Sequence, residues 1–227
     1  GHGTGRRVRI LDPLLTVRFW GTRSPPFADH PSPFTFLTMN LRLILASASP
    51  RRRQLPQGLD LPVEITSVDV DETPPEGLPN DHVAEYLARK KANVWKGQLA
   101  PDQVLVTADT TVVIGDVLLN KPEDAADARR MLAMLSGRTH RVITGVCLRT
   151  AEKTVSFSDI AHVTFGQLTP EEIAYYVERY SPLDKAGAYG VQDWIGYVAV
   201  ERIDGSFYTV MGLPLHLIYA ELTKIMR

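Results

Sequence analysis

The chain has 227 residues, 44% of them hydrophobic, with 25 lysines and arginines balancing 26 aspartates and glutamates. That length can bury a sizeable core, and a net charge of −1 argues against nucleic acid as a partner held by bulk positive charge, while leaving room for a local basic pocket. One cysteine excludes an internal disulfide framework, six scattered histidines give no zinc spacing, and no apolar run reaches the roughly 20 residues that span a bilayer, so a soluble cytoplasmic protein with no membrane partner is expected.

Residues 1–38 differ from the rest: they hold five of the sixteen prolines and five arginines against two acids, with no apolar period. They read as a disordered extension or an upstream-start artefact with Met39 as the working start, the alternative being a partner-binding or membrane-touching arm, and the folded domain is expected over residues 39–227. Without them the net charge moves from −1 to −4, because five positive and two negative charges are set aside.

From residue 41 the elements alternate. Residues 41–46 form a continuous apolar run that suits a buried strand, and Pro50 then suits the first position of a helix. Residues 63–70 read as a second strand. Asn80-Asp81 offers an N-cap for a helix to about Lys96. Residues 104–108 read as a buried strand ending at Asp109, and 111–115 and 117–119 as a hairpin around Gly115-Asp116. Pro122 opens a helix that Gly137 closes. Residues 142–150 and 155–165 are long strands, and Thr169-Pro170-Glu171-Glu172 is a capping box opening a helix to about Tyr180. Residues 197–203 and 207–211 flank Asp204-Gly205 as a second hairpin, and an amphipathic helix starts near Pro214. Interleaved helices and strands with two hairpins predict an α/β fold: a mixed twisted sheet with flanking helices.

Several groups could carry chemistry. In Ser47-Ala48-Ser49-Pro50-Arg51-Arg52 a strand end meets a helix start, so free N–H groups, hydroxyls and guanidinium forks suit phosphate; the same residues also make an ordinary turn with a solvated basic face. Asp109, with Thr110 beside it, could hold a divalent metal or accept a proton from water, or could simply cap a turn. In the helix from Asp81, positions 84, 87, 88, 91, 94 and 95 form one stripe that is apolar except at Lys91, which either snorkels along the core rim or enters an anionic pocket. Lys121 at a helix mouth is unfavourable unless an anion sits there. Asp71-Glu72 precedes a proline loop, where carboxylates are usually solvated. The stretch from Asp184 to Gln192 combines glycines with an amide able to read a base edge. Cations and acids gathered near element ends suit a polyphosphate with a divalent metal.

The run Leu45-Ala46-Ser47-Ala48-Ser49-Pro50-Arg51-Arg52 closely resembles the opening motif of the Maf family of nucleoside triphosphate pyrophosphatases. The resemblance continues through Asp71-Glu72-Thr73, Ala88-Arg89-Lys90-Lys91-Ala92, Thr107-Ala108-Asp109-Thr110, Asn120-Lys121-Pro122, Leu135-Ser136-Gly137, Asp184-Lys185-Ala186-Gly187-Ala188-Tyr189-Gly190 and Val210-Met211-Gly212-Leu213-Pro214. It implies an inosine-triphosphate-pyrophosphatase-type fold with two lobes around a deep cleft, a homodimer, and hydrolysis of a nucleoside triphosphate to monophosphate and pyrophosphate with a divalent cation, Mg²⁺ or Mn²⁺. By position, Asp109 matches the proton acceptor; Arg51, Thr110 and Gln192 match positions of substrate choice; Ser47, Arg52, Glu72, Lys91 and Lys121 match further cleft residues. Glu72 with Asp109 is the expected metal pair. The stretch ending in Gln192 looks like the branch acting on dTTP and UTP, modified pyrimidine nucleotides included in a house-cleaning role. The alternative is a nucleotide-binding regulator of septum formation and cell division. Pro56 departs from the family's usual leucine and should end the first helix early.

Overall fold

The computed structural model describes residues 41–225, all within the unit that begins at Met39; the expected disordered extension lies outside the described residues. The described residues form a seven-stranded mixed sheet: β1 (Arg42–Ala46), β2 (Val63–Thr66), β3 (Gln103–Ile114), β4 (Val117–Leu119), β5 (Thr139–Arg149), β6 (Thr154–Phe165) and β7 (Val200–Asp204). The order is β2-β1-β3-β5-β6-β7, with β4 hairpinned onto the far half of β3. β1 runs parallel to β2 and β3, and all other pairings are antiparallel. The mixed, helix-flanked sheet expected from the sequence is therefore present.

The helices are α1 (Pro50–Gln54), α2 (Asn80–Val94), α3 (Ala125–Leu135), α4 (Pro170–Tyr180), α5 (Trp194–Ala199), α6 (Phe207–Val210) and α7 (Leu215–Ile225). β1 alternates its buried side chains between two cores, as a strand covered on both faces must. Leu43 and Leu45 join Val106, Leu213 and Ile218 under α7, whereas Ile44 and Ala46 join Ala88, Ala92 and Leu105 under α2. α3 and α4 enclose a third core around Leu132, Phe165 and Tyr176. Among the described residues no helix is long and apolar enough to cross a membrane.

Several expectations need correction. The strands expected at 104–108 and 111–115 are one 12-residue strand, β3, because β5 pairs along nearly its whole length. Asp109 is therefore mid-strand, not at a strand end. The second strand stops at Thr66, where its partner β1 ends. The helix expected from Pro122 begins at Ala125, because the Asp124 carboxylate caps it by accepting from the Asp127 N–H at 2.8 Å. α2 starts with Asn80 after Pro79 and ends at Val94; Asp81 is bound by Arg141, not used as a cap.

The hairpin expected around Asp204-Gly205 does not form. Residues 194–199 are helical before β7, and Phe207–Val210 is the helical turn α6. Phe, Tyr, Thr and Val favour strands, yet tertiary contacts override that preference: Thr209 sits over the sheet and its hydroxyl donates to Asp159. The Gly115-Asp116 hairpin and the Thr169 capping box appear as expected. The first helix does end early, at Gln54, and a 3₁₀ turn carries the buried Pro56.

Candidate active site

β3 creates the site by being longer than its neighbours on one edge. Its residues 103–106 pair with β1 and its residues 112–114 pair with β4. Between them the edge at 107–111 has no strand partner among the described residues, and there a cleft of about 570 Å³ opens. Successive side chains on a strand point to opposite faces, so adjacent Asp109 and Thr110 serve two sides of this opening. Every residue expected in the site lines it: Ser47, Arg51, Arg52, Glu72, Lys91, Asp109, Thr110, Lys121 and Gln192.

On the first face, α2 brings Lys91 to Asp109. The helix is tied to the sheet along its length, by Arg141 on Asp81 at 2.6 Å, Ser156 on Glu85 at 2.6 Å, Thr107 on the Ala88 carbonyl at 2.7 Å and Arg149 on the Ala92 carbonyl at 2.5 Å. Gly145 permits this close seat: a Cβ there would lie 2.2 Å from the Glu85 amide nitrogen. The stripe predicted for α2 is buried at Ala84, Leu87, Ala88 and Lys91, while Val94 is exposed.

Lys91 does not snorkel. It is 7% exposed, and its ammonium donates to Asp109 Oδ1 at 2.5 Å and pairs with Glu72 Oε1 at 2.7 Å. Lys121 donates to Glu72 Oε2 at 2.7 Å, so its favourable anion is a carboxylate and not a helix-mouth ligand. Partial burial would raise the Glu72 pKa, but hydrogen bonds from Lys121 and Lys91 outweigh it and hold the group at about 2. Asp71, by contrast, faces solvent beside Lys90, as its composition-based reading allowed.

The three consecutive arginines have different partners. Arg52 closes the open edge of β3: its guanidinium donates to the Ala108 carbonyl at 3.0 Å, to Thr110 Oγ1 at 2.7 Å and to the Gly212 carbonyl at 2.7 Å. Burial lowers its pKa, with Asp109 acting in the opposite direction. Arg53 turns back to the Ser47 carbonyl, and Ser47 Oγ accepts from the Ser49 N–H, so these groups hold the loop's shape. Arg51 faces Asp184 across the cleft at 3.4 Å and keeps most of its donors unassigned among the described residues.

On the second face, the loop from Asp184 to Gln192 packs against β3 and β5. Tyr189 lines the cleft, and its hydroxyl shares a 2.8 Å hydrogen bond with His140 Nε2 in an edge-on cluster with Phe165. Burial pushes His140 down to about 4. Gln192 donates through Nε2 to Asp193 at 3.1 Å, and its Oε1 is buried with no partner among the described residues. Sequence reasoning gave no role to Asp184, Lys185, Tyr189 or His140. The first three lie in a quoted motif, which was the available signal; His140 offered none.

A family model described as Maf-like protein matches residues 42–225. The chain belongs to the Maf-like protein family. It is 51% identical over 184 residues to a dTTP/UTP pyrophosphatase of Porphyromonas gingivalis strain W83, covering 80% of this chain and 92% of that protein. It is also 48% and 46% identical over 185 residues to proteins of that name from Bacteroides thetaiotaomicron and Phocaeicola vulgatus, covering 81% of this chain and 96% of each. The matched span of the Maf-like chain takes in every residue of the cleft lining.

Proposed function

We propose that this protein is a nucleoside triphosphate pyrophosphatase that hydrolyses dTTP and UTP to the monophosphate and pyrophosphate. The observation that carries the reading is Lys91 held between Asp109 and Glu72 inside a cleft whose rim adds Arg51 and Lys121. A regulator that only bound nucleotide would need the cations but not the acids.

Asp109 lines the cleft, its Oδ1 is engaged by Lys91, and its Oδ2 has no hydrogen-bond partner among the described residues. In this reading Oδ2 accepts the proton of the water that attacks the α-phosphorus. The P–O bond to the β-phosphate breaks, and Arg51, Lys91 and Lys121 stabilise the charge that develops on pyrophosphate. Arg52 acts mainly by shaping the edge of β3, since its fork is committed to protein acceptors.

Glu72 and Asp109 flank Lys91 Nζ at 2.7 and 2.5 Å, which leaves each carboxylate further lone pairs for a cation beside that ammonium. Among the described residues no group of three or more His, Cys, Asp or Glu gathers as a metal cage. Two carboxylates completed by water and phosphate oxygens fit Mg²⁺, and Mn²⁺ by the same chemistry. Such an ion would neutralise phosphate charge. The reading also takes the protein to be cytoplasmic and homodimeric, which cell fractionation and light scattering respectively test. Pyrophosphate release across a nucleotide panel with Mg²⁺ tests the function: release greatest with dTTP and UTP supports it, and nucleotide binding without release supports the regulator.

A further inference from the structure

Thr110, Thr144 and Asp159 stand side by side across β3, β5 and β6, because Thr110 pairs in register with Thr144 and Thr144 with Asp159. α6 lies over this row. The Thr144 hydroxyl donates to the Thr209 carbonyl at 2.8 Å, and the Thr209 hydroxyl donates to Asp159. Thr144 is fully buried, and its oxygen is also 2.9 Å from the Thr110 oxygen.

These distances fix where each hydrogen lies. A carbonyl only accepts, so the Thr144 hydrogen points to Thr209. Two hydroxyl oxygens at 2.9 Å need a hydrogen between them, and only that of Thr110 is left. Arg52 Nη2 meanwhile donates to Thr110 at 2.7 Å, so the hydrogen cannot turn that way. Thr110 has given up its donor and used one lone pair. What it can offer the cleft is one acceptor.

We propose that Thr144 is a specificity-positioning residue: by taking the Thr110 hydrogen it makes Thr110 an acceptor only, matched to a pyrimidine ring N–H. The inference rests on the dTTP and UTP reading and adds how uracil and thymine are separated from cytosine. Phosphate oxygens carry no hydrogen and cannot satisfy this acceptor. A ribose hydroxyl rotates to suit either polarity, so a locked acceptor discriminates only against a group of fixed polarity. N3 of uracil and thymine carries a hydrogen; N3 of cytosine carries a lone pair.

The test compares kcat/KM for UTP and CTP in the wild type, Thr144→Val and Thr144→Ser. Valine keeps the shape but frees the Thr110 hydroxyl to turn, so the preference for UTP should fall about tenfold, the weight of one hydrogen bond. Serine should keep it. An unchanged ratio in folded Thr144→Val, or no preference in the wild type, overturns the proposal. UMP and CMP affinities read the same ratio without chemistry, which separates a failure here from a failure of the pyrophosphatase reading. If Thr144→Val does not fold, the wild type decides: 3-deaza-CTP, which lacks the N3 lone pair, should turn over faster than CTP, and equal or slower turnover overturns the proposal.

Discussion

Lys91 Nζ lies 2.5 Å from Asp109 Oδ1, joining the last turn of α2 to the middle of β3 across 18 residues of sequence. The contact fixes one carboxylate oxygen and leaves the other without a hydrogen-bond partner among the described residues. It also keeps Glu72 beside Asp109 without direct repulsion between two carboxylates.

Replacing Lys91 with methionine should lower kcat/KM for dTTP by about 10²–10³-fold, the scale of losing one preorganised charge at a reacting phosphate. The Glu72 pKa should rise, because one of the two ammonium groups that hold it down is lost. Stability should fall by less than the about 3–5 kcal/mol of a fully enclosed pair, because Asp109 and Glu72 can take up cleft water. Unchanged substrate affinity and rate would return Lys91 to a packing role.

Gly145→Ala should be among the most damaging small substitutions. Its Cβ would meet the backbone of Ala84 and Glu85 at 2.2 to 2.4 Å, and backbone cannot swing aside as a side chain can. α2 must lift from the sheet, at about 3 kcal/mol or more. Lys91 would lift with it, so activity should fall in whatever fraction still folds. Urea melts and kcat on the soluble fraction check both effects.

His140 makes stability depend on pH. Burial lowers its pKa from 6.5 to about 4, so between these values the unfolded chain binds a proton that the folded one refuses. The contribution is complete above pH 6.5 and is lost as pH falls towards 4, at up to about 1.4 kcal/mol per pH unit. His140→Gln should flatten that limb by up to one proton in urea melts from neutral pH downward. Parallel curves for the two proteins would contradict the assignment.

Lys91 was legible because the 3.6-residue period exposes a charge inside an apolar stripe. Asp109 was legible as chemistry but misplaced: whether a strand ends or continues depends on a partner, and β5 supplies one where β1 has stopped. For the same reason the open edge of β3 cannot be read from β3 itself. α6 was hidden behind strand-favouring residues, held helical by contacts to Asp159 that lie 50 residues away. Thr144 gave no signal, since a threonine in a strand is ordinary and its acceptor on Thr209 is 65 residues distant.

Product analysis with wild-type protein and Asp109→Asn, given dTTP and Mg²⁺ in ¹⁸O water, tests the central claim most directly. The wild type should release pyrophosphate and place the label on the monophosphate, and Asp109→Asn should lose nearly all turnover while still binding nucleotide. Inorganic phosphate with a diphosphate product, or full turnover by Asp109→Asn, would contradict it.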